Sequence, residues 1–91
     1  MIALSHHETA DTYAGVIAEP ADGWRVIICK NRIQWILQRR RKGAGRRWEA
    51  RGYFRTRKAL IRLCTASCGQ IDPAARCILD ALPENFTEGA A

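Results

Sequence analysis

The sequence predicts an α+β fold: a three-stranded antiparallel β-sheet packed with two C-terminal helices, and a short N-terminal helix where Ser5 and Glu8 form a capping box. Three observations predict it. Two β-branched and aromatic runs, Trp24–Cys29 and Ile33–Gln38, flank a turn at Lys30-Asn31-Arg32 and read as a hairpin. Residues 48–55 alternate Trp48, Ala50, Gly52 and Phe54 against Glu49, Arg51, Tyr53 and Arg55, the pattern of a third strand with one basic face. Beyond residue 55 the apolar spacing turns helical, twice, and each stretch carries its own start and stop signals.

The N-terminal helix would begin at His6 and be disrupted by Gly15. Tyr13–Ala18 fits either its tail or an extended run, and Glu19-Pro20-Ala21-Asp22-Gly23 reads as a turn. In the hairpin, Trp24, Val26 and Ile28 share one face, with Ile33, Trp35 and Leu37 as a second alternating set. RRRKGAGRR, residues 39–47, has no apolar residue larger than Ala44 and reads as a mobile loop or a frayed hairpin end. Thr56 is a natural N-cap, Leu60, Ile61, Cys64 and Cys68 lie on one helical face, and Gly69 supplies the left-handed residue that ends helices. Asp72-Pro73 starts the second helix, with Ile78, Leu79 and Leu82 as its core face and Pro83 as its stop. Short connections between strands rule out parallel crossovers. The chain reads as one domain over residues 1–91, with 1–12 and 84–91 as loosely ordered ends except at Phe86.

Composition bounds the function. A chain of 91 residues with 47% hydrophobic and 26% charged residues makes one modest core and no two-lobed cleft. No apolar run reaches membrane-spanning length and the N-terminus lacks a signal-peptide pattern, so a cytoplasmic location is expected, with Cys29, Cys64, Cys68 and Cys77 as free thiols. The net charge of +6 is unevenly spread: residues 24–62 hold fourteen Lys and Arg against Glu49 alone, while the segments on either side are acidic. A block of this kind attracts phosphate or acidic protein surfaces.

The basic block with its aromatic residues is the one feature pointing to a partner, because guanidinium groups bind phosphate or carboxylate bidentately and aromatic rings stack on bases. Three tryptophans in a small sheet are nevertheless more often core than stacking platform. RRRKGAGRR is no phosphate-binding P-loop, since its glycines lead into a strand and not into a Lys-Ser/Thr helix start. The second helix offers only Arg76 beside Asp72 and Asp80, which excludes it as a DNA-reading helix. Cys64, Cys68 and Cys77 with the N-terminal histidines lack the spacing of a zinc site, so no metal or cofactor is expected. Glu49 among arginines is more simply an ion-pair partner than a nuclease base, and no enzymatic activity is expected. Cys68, at a helix end, is the candidate for an intermolecular disulfide, which gives a monomer or a Cys68-linked homodimer.

The stretches GWRVIICKNRIQWILQRR and RWEARGYFRTRKALIRLC resemble small proteins carried by phages and mobile elements, and more narrowly anti-CRISPR proteins directed against the type I-C system, over about residues 13–86. That resemblance implies binding to the type I-C Cascade complex and a steric block on recognition of target DNA. It carries over no site residue. A +13 segment cannot imitate DNA, so docking would use a protein face or contact with nucleic acid at the complex. From charge and exposure alone, the expected partner-binding residues are Arg39, Arg40, Arg41, Lys42, Arg46, Arg47, Arg51 and Arg55. A small basic nucleic-acid-binding protein of a phage or mobile element is the alternative that uses the same residues.

Overall fold

The computed structural model describes residues 7–43 and 47–87. The order of elements is β1 (Val16–Ala21), β2 (Trp24–Ile28), β3 (Trp35–Arg40), β4 (Trp48–Phe54), α1 (Arg57–Cys68) and α2 (Pro73–Asp80). The strands form one antiparallel sheet in sequence order, β1-β2-β3-β4. The architecture is α+β as expected, but with four strands in place of three. The additional strand, β1, takes the extended alternative for residues 16–18, which fit either a helix tail or an extended run, and adds residues 19–21, expected to belong to a turn. Its proline is tolerated because β1 lies at the edge of the sheet, where a missing N–H breaks no ladder. Only Asp22 and Gly23 remain as the turn, with Gly23 at φ 77°.

No N-terminal helix forms among the described residues. The capping residue Ser5 lies outside them, and residues 7–15 make turns and isolated bridges that lie as a strap across the sheet. The strap explains a feature unusual for an antiparallel sheet: both faces are covered. One face packs Val26, Trp35 and Leu37 against Leu60 and Cys64 of α1 and Ala75 and Leu79 of α2. The opposite face buries Ile27, Cys29 and Ile36 under Tyr13, whose hydroxyl donates to the Ile28 carbonyl at 2.7 Å.

The strict alternation expected along β4 fails at one point. Leu37 pairs with Gly52 but Gln38 pairs with Ala50, so Arg51 is an extra residue in a β-bulge. Gly52 and Phe54 therefore face the helices, while Ala50 packs on the strap side. Gly52 leaves room for its neighbours: a Cβ would stand 2.7 Å from both Leu63 Cδ2 and the Phe54 ring, and these side-chain ends would have to shift. Gly52→Val is expected to cost about 2 kcal/mol by overpacking the contact of α1 with β4, measurable as a lower urea midpoint with an unchanged slope.

Both helices are set by their caps. Thr56 Oγ1 accepts from Ala59 N–H, Gly69 closes α1 at φ 73°, and Asp72 Oδ2 accepts from Ala75 N–H at the start of α2. The phase of α2 differs from expectation. Ala75 and Leu79 take the buried positions and Leu82 packs beside them, which leaves Ile78 43% exposed. Ile33 likewise falls outside β3 and is exposed. The described parts of both chain ends are tied down. Trp48 N–H donates to Thr9 O, Phe86 N–H donates to Arg55 O, and the Phe86 ring sits edge-on to Trp35 at 4.9 Å.

Cys64 is fully buried in the helix-side core, and burial pushes its thiol from 9.0 up to about 12, with Cys68 adding in the same direction. The folded state thus requires the protonated thiol. Its contribution is intact below about pH 9 and is lost as pH rises toward 12, because the unfolded chain releases the proton first. Wild-type stability should fall above pH 9 by up to about 1.4 kcal/mol per pH unit from this site. Cys64→Ala should remove most of that slope, with urea unfolding across the alkaline range as the check. Burial raises Cys68 and Tyr13 in the same direction, so a shallower decline should remain.

Candidate functional site

β3 runs out of the core after Gln38, and its last two residues, Arg39 and Arg40, are exposed. Arg41 and Lys42 continue beyond the strand, and β4 returns beside them with Arg47, Glu49 and Arg51 exposed. Arg39, Arg40, Arg41, Lys42, Glu49 and Arg51 together line an open groove of about 340 Å³. The structure thus gathers most of the expected partner-binding residues at one end of the sheet. Arg55 is not among them, since it follows β4 at the strand's far end, and Arg46 lies outside the described residues.

Two tryptophans hold this end in place. The Arg39 guanidinium lies 5.3 Å from the centre of the half-buried Trp24 ring, and Arg40 lies 4.9 Å from that of Trp48. Trp48 is itself buried, and its indole N–H donates to Asp11 Oδ1 at 3.1 Å while Arg40 pairs with the same oxygen at 3.4 Å. Both rings restrict the arginines; Trp48 is buried and offers no open ring for base stacking, Trp24 is half-buried, and Trp35 lies wholly in the core. The exposed aromatic side chain is Tyr53, at 61%.

The basic block does not lack intramolecular partners, contrary to what its composition suggests. Arg25 is the largest departure: it is 2% exposed and is a structural group. Its Nε donates to Gln38 Oε1 at 2.7 Å, its terminal nitrogens reach the carbonyls of Glu8, Ala10 and Asp11, and its guanidinium lies 4.2 Å from the Trp48 ring centre. Gln38 Nε2 donates in turn to Glu8 O. Burial lowers the Arg25 pKa and the Asp11 carboxylate opposes the shift, but arginine's ordinary value is high enough that the group stays charged. The acidic N-terminal segment is thereby anchored over the basic strands. Sequence reasoning missed this because the acceptors are main-chain carbonyls 14 to 17 residues away.

Glu49 is an ion-pair partner, with Arg51 at 3.1 Å and Arg41 at 4.0 Å. Exposed pairs of this kind contribute little and are exchanged readily for a better partner. Arg39, Lys42 and Arg47 have no carboxylate partner among the described residues. Chemically, the groove can bind phosphate or carboxylate groups through several guanidinium forks at once.

Other candidate features resolve differently. Cys68 is half-buried and burial raises its thiol pKa, which makes it a poorer disulfide former than the exposed Cys77. Among the described residues no group of three or more His, Cys, Asp and Glu could hold a metal ion, and no helix is long and apolar enough to cross a membrane. No protein-family model, curated protein or solved structure matches the chain.

Proposed function

We propose that the chain is an anti-CRISPR inhibitor that acts by binding, docking the basic end of β3 and β4 on the type I-C Cascade complex and sterically blocking its recognition of target DNA. The observation that carries the binding role is the groove of Arg39, Arg40, Arg41, Lys42 and Arg51 around Glu49. Two of its arginines are positioned by tryptophan rings before any partner arrives, which reduces the entropy lost on docking. The specific target rests on the resemblance of residues 13–86 to inhibitors of that system.

Co-purification tests the proposal. Tagged chain mixed with type I-C Cascade should co-elute in the absence of target DNA, and pre-loading Cascade with target DNA should reduce the yield. Absence of co-elution under both conditions would overturn it.

The second reading is a nucleic-acid-binding protein, favoured by a groove that presents several cations and one carboxylate to solvent. Salt dependence separates the two. About four phosphate contacts would give a slope near −3.6 for log affinity against log salt on duplex DNA, through counterion release. The Cascade inhibitor is expected to show no such binding to free DNA or RNA at about 0.15 M salt, where surface charges are screened beyond about 8 Å. Tight, salt-steep binding without Cascade would replace the first reading by the second.

A further inference from the structure

A second open groove lies beside the basic end and has the opposite character. It has a volume of about 640 Å³ and runs between the β1–β2 turn and the start of α2. Glu19, Asp22 and Asp72 are its acidic groups, and Trp24, Ile71 and Ile78 supply apolar surface. Glu19 and Asp22 are exposed and make no ion pair among the described residues. Ile78, 43% exposed, is turned out of the core by the phase of α2. Arg40 lines both this groove and the basic one, so the two are contiguous.

A surface with adjoining acidic and basic halves is self-complementary under a two-fold rotation, because each half then meets its opposite on the other copy. We propose that the chain forms a two-fold homodimer in which the Arg41–Lys42 end of each copy sits in the Glu19/Asp22 groove of the other, with Ile78 and Trp24 at the apolar centre. Charge complementarity selects a second copy as the occupant. The groove needs a cationic segment beside an apolar contact, and the required segment is built into the same face. Net charge of the same sign on both copies opposes association at long range but is screened beyond about 10 Å at 0.1 M salt, leaving the contact pairs to decide. The proposal stands independently of Cascade. One consequence is that the dimer would cover the basic end, so any partner bound there would compete with self-association.

A charge-exchange experiment tests this on the purified chain alone. The groove variant is Glu19→Lys/Asp22→Lys, and the end variant is Arg41→Glu/Lys42→Glu. Neither touches Asp72, which caps α2, or Arg40, which holds Asp11. Sedimentation velocity at chain concentrations up to about 0.5 mM, within reach of a weak complex, should show wild-type dimer and each variant at least tenfold weaker. Mixing the two variants in equal amounts should restore dimer, because both contacts are again between opposite charges in the mixed pair. Ile78→Glu should also dissociate the wild-type dimer, with circular dichroism confirming that each variant is folded. A monomeric wild type, a dimer indifferent to the variants, or a mixture that stays monomeric would each overturn the proposal.

Discussion

Replacing Arg25 by methionine is expected to lower the unfolding free energy by about 3 kcal/mol, the largest effect of any single substitution in the basic block. Methionine matches the aliphatic stem but donates no hydrogen bond. The carbonyls of Glu8 and Ala10, which accept from Arg25 at 2.9 Å, lose that partner, and Gln38 loses its donor. The strap over Ile27, Cys29 and Ile36 should then lift, exposing the second core cluster. Urea unfolding measures the loss, and limited proteolysis within residues 7–15 reports release of the strap. The double variant Arg25→Met/Gln38→Leu should be no more stable than Arg25→Met, since the Glu8 carbonyl, which also accepts from Gln38 Nε2 at 2.9 Å, then loses both of its side-chain donors. Equal stability of wild type and Arg25→Met would refute the structural role given to this arginine.

Charge reversal at the tip of the basic end should have the largest effect on partner binding. Arg41→Glu/Lys42→Glu replaces two exposed cations by anions without disturbing the Arg25 network, so thermal stability should change by less than about 0.5 kcal/mol. Affinity for the partner should fall at least a hundredfold, because two attractions become two repulsions at a surface where like-charge contacts cost several kcal/mol. Truncation to Arg41→Ala/Lys42→Ala should give a smaller loss of about tenfold. A reversal that leaves affinity within threefold would place the binding surface elsewhere. Arg55→Glu is the control, since it sits away from the groove and should have little effect.

Elements fixed by local chemistry were legible in the sequence. Thr56 and Gly69 bound α1, and Asp72-Pro73 opens α2, because caps act within three or four residues of the backbone groups they satisfy. The β2–β3 hairpin was legible for a similar reason, as its apolar pattern and short turn lie side by side in the chain. β1 was not, because Val16–Ala21 contains a proline and two alanines and takes its strand conformation from pairing with β2 and packing under α2. The bulge at Arg51 and the burial of Arg25 also depend on contacts distant in sequence. At the candidate site, the clustering of cations at the end of β3 was visible from residues 39–42 alone. The division of the arginines into one buried structural group, several held by rings or carboxylates, and a few open to a partner was visible only in three dimensions.

The most direct test of the proposed function is target-DNA binding by type I-C Cascade with increasing amounts of the chain. Wild type in slight molar excess should abolish formation of the Cascade–DNA complex, and Arg41→Glu/Lys42→Glu at the same concentration should leave it intact. Undiminished DNA binding by Cascade in the presence of saturating wild-type chain would contradict the account.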